Sequence, residues 1–595
     1  MTRANSSYRA ARDLLREMRT DRTAAVARFE WPDVGDSFNW AVDWFDQIAR
    51  GNDRVALRVV AGDGSERQVT FDEMATRSDR VATWLVGLGV RKGDHVMLML
   101  GNRVELWETM LAIMKAGAVI LPTSTVLGSA DLADRVERAG VRHVIADLAH
   151  TAVFDDVPGE HSRIAIGAGA DSPVPSGWTD YRDADDAPAD RVGIEVASTD
   201  PALVYFTSGT TSKPKMVVHT HVSYPVGHLT TAYWLGLQPR DVHLAISSPG
   251  WGKHAWSCFF APWIAEATVF VHDYARFDAH ALVEQLDRAE VTTFCAPPTV
   301  WRMLIQAGIR ERPGRLREIM SAGEPLNPEV IARIEEWWGL TIRDGYGQTE
   351  TTAIVANAPG DAVVPGSMGT ALPGVDLVLV DPVTGEPADE GEICLDLTTR
   401  PVNLMAGYLG DDARTAESMR DGFFHTGDVA RRDADGTITF IGRTDDIFKS
   451  SDYKISPFEV ESVLIEHPAV AEAAVVGAPD PVRLNVAKAY VHLAAGWEPD
   501  EATALAVLKH ARERCPAFMR VRRVEFGELP KTASGKIRRV ELRQREVAAS
   551  DAGERLDGEW RDDRFPGLRG GRHPPPPRGR GEGGPPPPPH GGKKK

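Results

Sequence analysis

Hydrophobic positions along the chain alternate between two periods. Thr70 and Glu73 stand three apart ahead of Phe71, Met74, Ala75, Ala82 and Leu85. That spacing forms a capping box and places the five apolar residues on one helical face, which stops near Gly87 and Gly89. A continuous apolar run at 96–100 then predicts a buried strand, 104–115 a second helix and 118–122 another strand. Helices alternating with wholly apolar strands predict a parallel sheet covered on both faces, because a strand buried on both sides need not alternate. The pattern resumes with strands at 202–206, 243–247, 268–272 and 292–296. Residues 1–50 read as a helical, tryptophan-containing lead-in, and residues 155–200, rich in Asp, Pro, Gly and Ser, as a looser connection.

From 366 to 440 the strands shorten around the turns Asp421-Gly422 and Asp435-Gly436, predicting a β-rich subdomain. A smaller domain opens with a second capped helix: Ser456 as N-cap, Pro457 first, Glu459 third, and Val460, Val463 and Leu464 facing inward. Strands at 473–476 and 487–493, a helix at 501–514 and a strand near Val524 complete it. The expected fold class is α/β: a large N-terminal domain of layered α/β sheets plus a β-rich subdomain over 1–442, a hinge at 443–446, and a small mobile α+β domain over 447–548. The remaining 549–595, with proline runs at 574–577 and 585–589, is expected to be a disordered tail.

Composition changes this picture little. The 595 residues are 43% apolar and 26% charged, ordinary for a protein with ample core. A net charge of −17 argues against general affinity for nucleic acid or acidic membranes. Cys258, Cys295, Cys394 and Cys515 lack metal-ligand spacing and read as reduced core thiols of a cytoplasmic protein. The arginine-rich start is interrupted by Asp13, Glu17 and Asp21, unlike a transit peptide, and no apolar run is long enough for a membrane span.

Candidate chemistry begins where the strand 202–206 empties into Thr207-Ser208-Gly209-Thr210-Thr211-Ser212-Lys213-Pro214-Lys215. Hydroxyls, a glycine and lysines suit a polyphosphate, although the P-loop spacing is missing and a plain polar loop fits equally. Five further clusters stand out: 321–325 (Ser-Ala-Gly-Glu-Pro, after a predicted helix), 344–351 (Asp-Gly-Tyr-Gly-Gln-Thr-Glu-Thr), 425–428 (His-Thr-Gly-Asp), 442–446 (Gly-Arg-Thr-Asp-Asp) and 530–536 (Pro-Lys-Thr-Ala-Ser-Gly-Lys). Singly, these read as loops, a hairpin turn, a linker and a basic surface loop.

In this order and at these separations, over about 38–544, they resemble the adenylate-forming superfamily of acyl-CoA synthetases, luciferases and peptide-synthetase adenylation domains. The segments 248–256 (Ser-Pro-Gly-Trp-Gly-Lys-His-Ala-Trp), 294–300 (Phe-Cys-Ala-Pro-Pro-Thr-Val) and 456–462 (Ser-Pro-Phe-Glu-Val-Glu-Ser) are most similar to medium-chain acyl-CoA synthetases. The resemblance implies two half-reactions: a carboxylic acid and Mg-ATP give acyl-adenylate and diphosphate, then coenzyme A displaces AMP. It implies that Thr207, Ser208, Gly209, Thr210, Thr211 and Lys215 cradle the β- and γ-phosphates. Gly323, Glu324 and Pro325 would line adenine, with Asp344, Gly345, Tyr346, Gly347 and Gln348 closing the nucleotide site. Thr349 would bond the α-phosphate and Glu350 would hold Mg²⁺. Asp428 would accept the ribose hydroxyls, beside Arg443. Lys536 would drive adenylation, which makes it a candidate for a protein acetyltransferase and deacetylase. Asp445 would be the hinge, about which the small domain exchanges the lysine loop for residues 450–455.

For the acid and coenzyme A, the resemblance points to Trp251, Gly252, Ala322 and Gly347, and to Ser451, Asp452, Tyr453 and Lys454. Many relatives have glycine where Asp452 stands, and a carboxylate there would repel CoA phosphates unless Lys449 and Lys454 neutralise it. Acetyl-CoA synthetases carry a wall tryptophan at the position of Gly347. Three small walls, Gly252, Ala322 and Gly347, therefore lead to the expectation of a long cavity for a medium-chain acid, or for a branched or aromatic one. Alternatives are a short acid, delivery to a carrier-protein thiol, or an inactive scaffold binding through the proline-rich tail.

Overall fold

The computed structural model describes residues 3–169, 172–207, 213–274, 276–451, 453–531 and 536–568. The chain divides into two compact units. The larger comprises Met1–Ile447 with Lys531–Arg538, and the smaller Phe448–Pro530 with Arg539–Lys595.

Two large sheets form the larger unit. In the eight-stranded sheet, Val119–Pro122, His95–Met99, His143–Asp147 and Ser162–Ile166 run parallel, and an antiparallel edge carries Pro201–Thr207, Lys215–Thr220 and Gly407–Tyr408. The nine-stranded sheet has a parallel centre of Val55–Val60, Thr268–His272, Val242–Ala245, Thr293–Ala296, Glu318–Ala322 and Arg343–Gln348. The predicted helices are Phe71–Gly87, with both bonds of the Thr70–Glu73 capping box, and Val104–Lys115. Every residue of the latter but Glu105 is buried. The lead-in is core as well: Tyr8, Trp40 and Trp44 are fully buried, and the Tyr8 hydroxyl donates to the Pro225 carbonyl at 3.0 Å.

The β-rich subdomain is a four-stranded antiparallel sheet in the order Leu377–Val380, Glu390–Asp396, Phe423–Arg432, Ile438–Arg443. In the smaller unit, Ser456 accepts from the Glu459 amide at 3.2 Å and opens the helix Pro457–Ile465. Its sheet runs Val470–Asp480, Leu484–Leu493, Val521–Phe526, Glu559–Arg561.

Four expectations change. The connection at 155–200 contains the strand Ser162–Ile166, too short and too closely flanked by turn residues to stand out. The cluster 321–325 follows a strand, Glu318–Ala322, not a helix; five residues buried between parallel neighbours have no helical length. Lys531–Arg538 groups with the larger unit and not with the small domain that surrounds it in sequence. The tail is folded to residue 568: the helix Arg539–Asp551 continues past 549, Glu559–Arg561 adds a strand, and Phe565 and Leu568 are buried. Charge anchors that segment, because buried Lys488 Nζ meets Glu525, Glu546 and Glu559 at 2.8, 2.7 and 2.9 Å. Leaving any of those carboxylates unpaired in the interior would cost several kcal/mol, about 3–5. The proline runs lie outside the described residues.

Candidate active site

The predicted clusters gather at the carboxyl ends of parallel strands, where open α/β sheets bind ligands. Trp251 and the helix Gly252–Ala255 follow Val242–Ala245, Gly323 to Pro325 follow Glu318–Ala322, and Tyr346 to Gln348 end the strand Arg343–Gln348. Gly323 takes φ +104°, which a residue with a side chain rarely adopts. Glu324 is half-buried and within 3.5 Å of the Thr299 hydroxyl. Asp344 is buried and its own carboxylate oxygen accepts from the Gly345 amide at 3.0 Å; burial raises its pKa well above the usual carboxylate range. It therefore supports the strand end, and the groups facing outward are those after it. Gly345 is required by packing, since a Cβ would stand 2.4 Å from the Trp234 ring.

The tight turn 348–352 presents Thr349 and Glu350. Gln348 donates its amide to the Thr351 hydroxyl at 3.1 Å, and His219 Nε2 bonds the Thr349 carbonyl at 2.7 Å. Thr352 closes the turn at φ +80°, a strained conformation for a β-branched residue. Glu350 is buried and accepts from the Tyr408 hydroxyl at 3.0 Å. The same Tyr408 ring lies 5.2 Å below Lys215 Nζ. Burial lowers the Lys215 pKa, while Glu350 pulls it back up. Tyr408 thus joins the lysine and the carboxylate, because its short strand pairs with Lys215–Thr220. Thr207 ends the preceding strand opposite Lys215; Ser208, Gly209, Thr210 and Thr211 lie outside the described residues.

At the other end, Asp428 collects donors. Its Oδ2 accepts from the Tyr346 hydroxyl and from Gln348 Nε2, each at 2.6 Å, and Arg443 Nη1 stands 3.4 Å from Oδ1. Burial raises the Asp428 pKa, opposed by Arg443, Tyr346, Gln348 and the charge of Lys536. The aspartate is therefore an acceptor oriented by Tyr346, Gln348 and Arg443. Asp445 pairs with Arg443 Nε at 3.3 Å.

The small residues singled out for the acid are closely packed. A Cβ on Gly347 would stand 1.8 Å from the Thr352 carbonyl oxygen and 2.9 Å from the Trp256 ring. On Gly252 it would meet the Tyr224 hydroxyl at 3.0 Å and Thr349 Oγ1 at 3.2 Å. Backbone and aromatic side chains therefore pack closely against Gly347, and a tyrosine hydroxyl and a threonine against Gly252. Trp256 Nε1 donates to the Tyr224 hydroxyl at 2.7 Å, and Tyr224 stacks on His219 with 4.1 Å between centroids. Ala322 is buried and its carbonyl accepts from Lys253 Nζ at 3.1 Å.

In the smaller unit, Phe448–Ser450 and Tyr453–Ile455 form a hairpin with Ser451 at φ +54°. Tyr453 is 56% exposed and stacks on Phe518 at 5.0 Å, Lys454 is exposed, and Asp452 lies outside the described residues.

Sequence reasoning missed His219, Tyr224, Trp256, Glu392 and Tyr408. Trp256 alone lay in a quoted segment, 248–256, without a role assigned to it.

Oriented donors and acceptors near the carboxyl ends of parallel strands are the arrangement by which α/β enzymes bind ligands. The AMP-binding enzyme pattern matches residues 44–409, and that of the AMP-binding enzyme C-terminal domain matches 459–536. The chain belongs to the AMP-binding enzyme family. It is 41% identical to 4-hydroxybutyrate–CoA ligase 1 of Metallosphaera sedula, covering 87% of this chain and 92% of that one. It is 36% identical to mouse mitochondrial acyl-coenzyme A synthetase ACSM3, covering 86% and 91%. Among solved structures it resembles an anthranilate CoA ligase bound to anthranoyl-AMP (TM-score 0.78, 28% identity, 87% and 99% covered). The protein is an AMP-forming acid–CoA ligase that uses ATP, Mg²⁺ and coenzyme A. No described helix is long and apolar enough to cross a membrane.

Proposed function

We propose that the acid is a short-chain carboxylic acid, carried through its adenylate to coenzyme A. The observation that carries this reading is Trp256, whose ring fills the space beside Gly347 and is fixed by Tyr224. An indole there does what a wall tryptophan on the Gly347 strand would do. Similarity to a ligase named for 4-hydroxybutyrate supports the same size class. A medium-chain acid is the second reading, favoured by the small residue Ala322.

Roles follow from chemistry. Thr207, Lys215 and the residues 208–211 take the β- and γ-phosphates, and Thr349 the α-phosphate. Glu350 is a buried oxygen donor of the kind Mg²⁺ prefers. The ion, when bound, neutralises phosphate charge. Gly323, Glu324 and Pro325 face adenine, with Tyr346 and Gln348 beside it, and Asp428 and Arg443 take the ribose. Lys536 places its charge where negative charge develops as the carboxylate attacks the α-phosphorus. An acetyltransferase acting on Lys536 would remove that charge. Asp445 serves as hinge, the Ser451 to Lys454 loop receives coenzyme A, and the protein works in the cytoplasm.

A diphosphate-release screen from acetate to dodecanoate, with benzoate, tests the size class. The maximum is expected among short acids; a maximum at octanoate or beyond would replace this reading with the second. Comparing AMP release with coenzyme A and with a holo-carrier protein identifies the acceptor.

A further inference from the structure

We propose that Glu392 and His425 are positioning residues that hold Asp428 in place to receive the ribose; this rests on the role assigned to Asp428. The strands Glu390–Asp396 and Phe423–Arg432 pair Glu392 with Val429 and Cys394 with His425. Two steps along one strand thus match four along the other, so Thr426 to Asp428 bulge out of the ladder. Bulges re-aim side chains beside active sites, and they leave backbone groups without a ladder partner. Here Glu392 supplies that partner: its Oε1 accepts from the Gly427 amide at 2.7 Å. Its Oε2 meets His425 Nδ1 at 2.9 Å, so one carboxylate ties both ends of the bulge. Both side chains are only 8% exposed.

The remaining groups of the bulge are held too. Thr426 Oγ1 donates to the Ile393 carbonyl at 2.7 Å, Gln348 Nε2 reaches the Thr426 carbonyl at 2.9 Å, and the Thr444 amide reaches the Gly427 carbonyl at 2.9 Å. Gly427 has φ +76°, and a Cβ there would meet the Arg443 guanidinium at 3.1 Å. A bulge with these constraints has one conformation while Glu392 is in place, and that conformation aims Asp428 at Tyr346, Gln348 and Arg443.

Glu392, Cys394 and His425 also bring donor atoms within 4.8 Å of one another, as a metal site would. The Arg420 guanidinium opposes a cation: its Nη2 lies 3.3 Å from His425 Nδ1 and 3.9 Å from Glu392 Oε2.

The test compares kcat/KM for ATP with that for 2′-deoxy-ATP. Asp428→Ala should bring this ratio toward one, which checks the ribose role itself. Glu392→Ala should lower the ratio as well and raise KM for ATP about tenfold, the loss of one charge-assisted bond, while KM for the acid is kept. Glu392→Gln, which keeps an acceptor facing Gly427, should restore most of both. Should Glu392→Ala not fold, Glu392→Asp, whose shorter side chain withdraws from Gly427, carries the same comparison. A wild-type ratio in the Glu392 variants with a lost ratio in Asp428→Ala overturns the positioning role alone. A wild-type ratio in Asp428→Ala overturns the ribose role and this inference with it. One equivalent of zinc in the purified protein, removed by chelation with loss of activity, would also overturn it.

Discussion

The proposed nucleotide end and the proposed acid end of the site are built differently. Around Asp428, the partners Tyr346, Gln348 and Arg443 sit in or beside contiguous polar motifs; Arg443 pairs with Asp428 across the ladder, and Tyr346 and Gln348 reach it from the strand Arg343–Gln348. Around Gly347 and Gly252 the contacts come from Thr352, Tyr224 and Trp256, two of them far off in sequence and apolar enough to pass for core. Polar recognition needs several donors at fixed spacing and so leaves a signature. A steric wall needs only volume, which any large side chain from any element can supply.

The largest effect that would break this contrast belongs to Lys536. Lys536→Ala should slow acyl-adenylate formation by on the order of 10²–10³ while sparing thioester formation from supplied acyl-adenylate. Equal loss of both half-reactions would show that the polar end is not divided by task. Tyr408→Phe comes next. Without its hydroxyl on Glu350 the carboxylate loses its orientation, and the Mg²⁺ concentration for half-maximal rate should rise by about tenfold or more, as for partners of metal ligands generally. An unchanged Mg²⁺ dependence would remove Glu350 from the metal's reach.

Gly347→Ala sharpens the acid end. Its methyl group would collide with a backbone carbonyl, so thermal unfolding should report about 1–3 kcal/mol of lost stability without a change in acid preference. For the same reason Gly347→Trp, the substitution that sequence comparison suggests for shortening the pocket, should disturb folding before it alters selectivity. A stable Gly347→Ala with altered chain-length preference would restore the wall role to that position.

Sequence reading located the parallel strands and the helices between them because wholly apolar runs and capping boxes are local signals. Phe71–Gly87 and Val104–Lys115 show how far such signals reach. It also singled out the polar motifs, but glycine at 347 gave no sign that the backbone of Thr352 and the Trp256 ring pack against it. Small residues record what a position lacks, not what its neighbours supply. The same limit applies to 556–568: a segment with few apolar residues reads as tail, yet Glu559 answers a lysine buried on another strand. Glu392 is hidden for a further reason: it alternates with Glu390 and Asp396 like a solvated acid, and its partner is a bulge on the adjacent strand.

The most direct measurement is the chain-length profile of diphosphate release for wild type and Trp256→Ala, with Trp256→Leu as a check against loss of folding. Burying one methylene is worth about 0.8 kcal/mol, so an opened pocket should gain about fourfold per added carbon until it is filled. The wild type should favour short acids, and both variants should shift the optimum to longer ones. Octanoate used as well as butyrate by the wild type, with the same profile in both variants, would contradict the aromatic wall and return the acid end to the long pocket.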